Sequence, residues 1–258
     1  MIPSNNIRAV LAVFLFGSML SSGFAQQAEP QEVSDPKGAI IIASLEGAVT
    51  VTNNETGKAL PAAQVGPGKI LFDGHTVETA KGAKLILLFS NGTVTTLKEE
   101  STLNIKKFTQ SKFDPAAGKL SEMEGEPSAS TTLIDLNVGD MVVDIKKLDD
   151  RSSFDIDSPV GTAGIRGTRI GMNITRVPGG GYASKITVPQ GLISFTPPPP
   201  PPAAPGLPPP PPPEPVPVAA GQVVAPAITD TGVVAAAPVA VAAPAADLAA
   251  INADLDAA

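Results

Sequence analysis

The chain has 258 residues, 18 basic and 25 acidic side chains and a formal charge of −7, with no cysteine, no tryptophan, one tyrosine and one histidine. That balance argues against bulk binding of nucleic acid, which needs a surplus of cations to displace condensed counterions. It also removes thiol chemistry, disulfide stapling and multi-histidine metal sites, so stability has to come from a core of Val, Ile, Leu and Ala.

Residues 1–25 have the layout of a secretory signal peptide: Arg8, an apolar run from Ala9 to Leu20, then small and polar residues. Gly23 and Ala25 occupy the −3 and −1 positions that a signal peptidase reads, so cleavage is expected after Ala25. The run is shorter than the ~20 residues that span a bilayer, and no later segment is a spanning candidate. The expectation is a periplasmic, secreted or cell-surface protein with no transmembrane span after cleavage.

From Ala39 to Phe195 short apolar stretches recur at period two between glycine-containing turns: 48–51, 84–89, 93–97, 102–105, 131–136, 140–145, 169–174 and 185–195. This spacing predicts an all-β fold, a single sandwich or barrel-like domain of short strands. Asn91-Gly92 between two apolar strands predicts a two-residue type I′ hairpin turn, and Asp73-Gly74 a second turn of similar chemistry. Residues 113–131 are polar, carry Pro and Gly, and predict a long excursion between the two halves.

Two runs of six prolines follow, 197–202 and 208–213, flanking Ala203–Leu207. Proline fixes φ and has no N–H, so these runs predict polyproline II arms with a tip at Ala203–Leu207, or else a disordered linker. Strand-like residues return at 219–224, which places the 197–217 segment as an insertion in a β domain spanning 38–224. Residues 225–258 form an Ala/Pro-rich tail, in which Leu248, Ile251 and Leu255 fit one short amphipathic helix behind an Asp247 cap.

Chemistry-bearing patterns are sparse. His75 follows a predicted turn and no Gly-x-Ser-x-Gly surrounds any serine, so a solvated turn residue is expected rather than a triad member. The acid-rich segment 148–157 lacks the Asp-x-Asp-x-Asp-Gly spacing of calcium loops. Asp155 and Asp157 would share one face of a strand and are expected to pair with nearby arginines. Asn54, Asn91 and Asn173 begin glycosylation sequons, a pattern that carries no meaning if the exporting cell is bacterial.

The densest glycine cluster, Ser158 to Gly171, resembles a phosphate loop only superficially. A Walker loop needs Gly-x4-Gly-Lys-Ser/Thr, and here Gly161, Gly164 and Gly167 recur every third residue with no lysine after them. Arg166 and Arg169 lie an odd number of positions apart, so in an unbroken strand they would point to opposite faces, unless a bulge at Gly167 intervenes.

The stretch Ser158–Ile170 closely resembles the signature of FecR-like domains, Thr/Ser-Pro-x-x-x-Ala-Gly-Val/Ile-Arg-Gly-Thr-Arg-Phe, carried here by Pro159, Gly161, Ala163, Gly164, Ile165, Arg166, Gly167, Thr168 and Arg169. Residues 46–51, 65–79, 82–97, 100–105, 186–195 and 219–224 resemble further elements of that family, so the likeness covers roughly 38–224. The family's namesake is an inner-membrane iron-dicitrate regulator that relays an outer-membrane signal to a sigma factor through a cytoplasmic segment and a membrane span. The leader here replaces those parts, so that relay is not implied. What the resemblance implies is an exported, non-enzymatic all-β module; the sparse chemistry of the chain leads us to expect no cofactor or metal. Its role is either binding or signalling accessory work with an envelope protein or glycan, or that of a structural or adhesive envelope component. The signature glycines are expected to permit tight strand crossings. Its arginines are expected to tie strands to the acids of 149–157, with Arg166 more buried than Arg169.

Overall fold

The period-two stretches fold as strands. In the computed structural model, which describes residues 36–114, 120, 123–202, 208–229, 231, 234 and 238–258, the order in the first half is β1 Ile40–Glu46, β2 Val49–Asn53, β3 Lys58–Ala59, β4 Ile70–Leu71, β5 His75–Thr79, β6 Lys84–Phe89, β7 Val94–Leu97 and β8 Thr102–Gln110. Then come β9 Ser130–Asp144, β10 Ser153–Ser158, β11 Gly161–Ile165, β12 Arg169–Arg176, β13 Tyr182–Gln190 and β14 Leu192–Thr196. The last elements are β15 Val216–Ala219, β16 Gln222–Val224, β17 Ala227–Ile228, β18 Val241–Ala242 and one helix, α1 Ala245–Asp256. The expected leader and the expected arm tip at Ala203–Leu207 lie outside the described residues.

The fifteen-residue β9 organises everything else. Its first part pairs antiparallel with β8 and parallel with β10, whereas its last part, Gly139 to Asp144, pairs antiparallel with β12 and, from Met141, with β7. One sheet therefore runs β3-β2-β5-β8-β9-β10-β11-β14-β15, and a second runs β4-β1-β6-β7-β9-β12-β13-β16-β18, with β17 also on β13. They share β9 and so form one connected network. The inner faces meet in a single core drawn from both, in which Phe89, Phe108, Phe154, Ile134 and Met141 are at most 1% exposed. Phe89 stacks edge-on against Phe108 with centroids 5.1 Å apart. The barrel alternative is not taken, because among the described residues β3, β15, β4 and β18 each pair on one side only and leave the edges open.

Gly139 is the pivot between the two sheets. Its φ of +112° is open to glycine, and a Cβ there would lie 2.1 Å from Ser101 Oγ and 2.4 Å from Ser101 Cα. The residues read as two strands, 131–136 and 140–145, are thus one strand bent at a glycine rather than two separated by a turn. At the 89–93 hairpin only Gly92 has positive φ (+87°); Gly92 N–H donates to Phe89 O and Phe89 N–H to Thr93 O. That is a three-residue loop with glycine at its left-handed end, not a type I′ turn. Asn91 turns inward, 1% exposed, and its side-chain amide donates to Ser130 Oγ at 3.1 Å.

β14 and β15 pair directly, Phe195 opposite Val216, so the two proline runs leave from adjacent strands. Prolines 199–202 and 209–213 line one shared cleft and therefore lie side by side, and none of them belongs to a strand or helix. Pro217 within β15 is tolerated because β15 is an edge strand that needs no second ladder partner. In the tail, α1 starts after Pro244 instead of at Asp247, which sits in its first turn.

Candidate functional site

The Ser158–Gly171 cluster builds a hairpin and a crossing. β10 and β11 pair from Phe154–Ile165 to Ser158–Gly161 around a Pro159-Val160 turn, with Ser158 Oγ donating to Gly161 O at 2.7 Å. Gly161 has φ +136°, and a Cβ there would meet Thr196 O at 2.4 Å, so only glycine fits where β11 passes β14. Ala163 and Ile165 point into the core. The chain then leaves the first sheet and enters the second through Arg166-Gly167-Thr168, since β11 belongs to one and β12 to the other. Gly167 (φ +68°) presses on Lys147, where a Cβ would be 3.0 Å from the Lys147 Cα. Thr168 is 2% exposed; its hydroxyl donates to Leu192 O, and its carbonyl accepts from Ile145 N–H. Gly191, in the return crossing between β13 and β14, packs against Thr168, where a Cβ would lie 2.6 Å from the hydroxyl.

The arginines are placed otherwise than expected. Arg169 faces Asp144 in register, Nε to Oδ2 3.3 Å, and reaches Asp256 of α1 at 3.8 Å. Its partners are therefore not the acids of 149–157. Arg166 is exposed, and among the described residues it pairs with no carboxylate. The reason is topological: the crossing separates the two side chains onto different sheets, and only Arg169 lands opposite an acid. The acids of β10 also miss the arginines. Asp157 takes Lys106 Nζ at 3.1 Å and the Thr162 hydroxyl at 2.7 Å, while Asp135 takes Lys106 at 2.8 Å. A register shift between Ile105 and Lys107 turns both Lys106 and Lys107 outward and makes this clamp possible. The hydrogen bond to Asp135, joined by that to Asp157, outweighs burial and holds the Lys106 ammonium above its ordinary value.

Asp155 is the one acid of β10 left without a hydrogen-bond or ion-pair partner among the described residues. It lies across from Gly164, whose missing Cβ leaves room for it, since a Cβ would be 3.3 Å from Asp155 Oδ1. Both border an open cleft of about 560 Å³ on the outer face of the first sheet, with Ser153, Arg166, Leu192, Ser194 and Pro217 around it. Leu192 is 55% exposed. The site thus sets an unpaired carboxylate and an unpaired guanidinium around a small apolar wall.

Burial pushes the Asp155 carboxyl above its ordinary value, and Asp157 adds to the effect. A carboxyl raised in the folded state binds its proton more tightly there than in the unfolded chain, so stability falls as pH rises from the ordinary value of 3.8 through the raised one. Asp155→Asn should therefore melt at a higher temperature than the parent at pH 7. The difference should vanish when both are melted below about pH 3.8. An Asn variant no more stable at pH 7 would mean that the carboxylate is already compensated.

Residues 75–194 match the family described as FecR protein. The chain carries a FecR domain. No curated protein matches the sequence. Two solved structures of a candidate anti-sigma factor from Parabacteroides distasonis are similar, at 9% and 8% identity and TM-scores of 0.43 and 0.42, and cover 68% of this chain. The chain spans 63% and 62% of the length of those two structures.

Within the FecR domain, His75 opens β5 with Nδ1 3.0 Å from Phe72 O. No group of three potential metal-ligating side chains occurs among the described residues, and no helix among them is long and apolar enough to cross a membrane. Glu126 is the residue that sequence reading passed over. Its carboxylate accepts from Ser130 Oγ at 2.6 Å, Asp149 N–H at 2.7 Å and Ser152 Oγ, tying the polar excursion to the start of β9 and the approach to β10. The flanking Glu124 is exposed, and nothing in residues 123–127 distinguishes the two glutamates in advance.

Proposed function

We propose that this FecR-domain chain is an exported, non-enzymatic protein of the periplasm or cell envelope, a binding or signalling accessory module that meets an envelope protein or glycan at the Asp155–Arg166 cleft. The observation that carries this reading is the pair of opposite, uncommitted charges on one cleft of the signature hairpin. Elsewhere on the same face the comparable charges, Lys106, Asp135 and Asp157, satisfy one another. Opposite charges on one cleft steer and register a complementary surface more than they add affinity. Export is supported by Arg8 and the apolar run ending at Leu20. The non-enzymatic part is supported by a composition without thiols and by the engagement of the single histidine with a backbone carbonyl.

The test is capture from envelope extract by immobilised protein, comparing the parent with Arg166→Glu, Asp155→Lys and, as a control on the exposed β3, Lys58→Glu. A partner held by parent and control and lost with either cleft variant is expected. Equal retention on all four would remove the cleft from the reading. Hydrolytic activity that survives purification and disappears with His75→Ala would overturn the non-enzymatic part.

A further inference from the structure

Helix α1 lies on the outer face of the second sheet in a seat with two kinds of complementarity. The first is steric. Ile251, the one buried residue of the helix, drops onto Gly171 of β12, where a Cβ would come within 2.4 Å of Ile251 Cδ1. The second is electrostatic. Lys98 Nζ meets Asp254 at 2.7 Å, Lys185 Nζ meets Asp247 at 3.0 Å, and Arg169 reaches Asp256 at 3.8 Å. Asp247, Ile251 and Asp254 follow one another at i, i+4 and i+7, so a single helix face presents acid, apolar knob and acid to a face of cation, notch and cation.

The helix has little to sustain it away from this seat. Pro244 supplies no side-chain cap, the last turn holds no basic residue, and Asp254 and Asp256 stand at the end where the macrodipole disfavours acids. Twelve-residue helices are marginal in water by themselves. The chain leading to β18 and α1 is also long: residues 229–240 separate β17 from β18, enough to reach roughly 40 Å when extended, and β18, held to β16 by two residue pairs, travels with the helix.

We propose that this seat is an exchangeable interface, in which α1 of one chain occupies the seat of a second copy and the exchange is reciprocal. The occupant follows from the fit. The helix whose complementarity to Gly171, Lys98 and Lys185 is on view is α1, and a second copy presents the same helix. Exchange leaves every contact of the seat intact while converting it from an intramolecular into an intermolecular one, so concentration decides between the two forms. This inference is independent of the cleft on the first sheet and stands or falls without it.

Two full-length variants test it by light scattering after size exclusion. In one, Asp247→Lys and Asp254→Lys reverse the helix; in the other, Lys98→Glu and Lys185→Glu reverse the seat. Each alone mismatches its own seat and should run as a monomer. Mixed in equal amounts, each helix matches the other chain's seat, and the mass should double. Adding Gly171→Leu to both should abolish the doubling. A mixture that stays monomeric although both variants melt cooperatively would overturn the proposal. A second readout does not depend on assembly of the pair: a labelled peptide of residues 243–258 should bind the helix-reversed chain and fail to bind one that also carries K98E and K185E. Equal binding to both, or to neither, would likewise overturn it.

Discussion

Gly139→Ala is expected to lower the thermal midpoint by roughly 10 °C. Two costs coincide at that position. An alanine at φ +112° sits in a backbone region that side chains rarely occupy, worth ~1–3 kcal/mol. The new methyl would also overlap Ser101, including its Cα, which cannot swing aside as the tip of a flexible side chain could. Overpacking of that kind adds ~1–3 kcal/mol. In a domain of this size ~1 kcal/mol moves the midpoint by ~2–4 °C, which gives the figure above. Ser101 Oγ also accepts from Asp140 N–H at 3.0 Å, so relief by moving Ser101 would break a backbone contact of β9. A midpoint within one or two degrees of the parent, measured by calorimetry, would show that β9 can bend without its glycine.

Glu126→Ala is expected to cost about 2–3 kcal/mol, read as a shift in the denaturant midpoint at unchanged slope. The loss is not that of a surface ion pair, because none of the three donors to this carboxylate is a cation. Ser130 and Ser152 are only 3% and 2% exposed, so water cannot readily replace the missing acceptor. Each buried donor left without a partner carries a desolvation cost of ~1–3 kcal/mol, and these costs dominate over the bonds themselves. Glu126→Gln keeps one acceptor oxygen and should recover part of the loss. If the alanine variant unfolds with the parent, the hydroxyls find other partners and the carboxylate is not the clasp described.

How far these features were legible in advance follows the range over which each is determined. The pattern places β6 at its observed bounds, 84–89, because both its apolar content and its terminating turn are local. The sequence pattern divides β9 in two because Gly139-Asp140 looks like a turn, and only the pairing of each half with a different sheet shows it to be a bend. The pattern merges β13 and β14 for the converse reason: Gly191 looks tolerable inside a strand, yet at φ +91° it is where the chain changes sheets. The glycines of the signature were legible as crossing points, but the arginine partners were not. Which acid stands opposite Arg169 depends on register with a strand 25 residues upstream, and Asp144 lies outside the acid-rich segment that drew attention. The spacing of Leu248, Ile251 and Leu255 located α1, while its seat required knowing that Gly171 would face outward beneath it.

The sharing of β9 by both sheets has a consequence for how the chain acquires its structure. Among β1 to β8 only β2–β3 and β6–β7 are hairpins of consecutive strands, and β7 and β8 each lack a neighbour until residues 130–144 arrive. Those residues in turn wait for β10 and β12, the former paired in parallel and so unable to form by simple hairpin closure. Long-range pairing of this kind slows folding, since loop entropy is lost before the contacts that reward it are made. A chain threaded from its N-terminus would thus leave β7 and β8 each with an open edge until residue 144 has emerged, and β9 itself half-paired until β10 and β12 follow it.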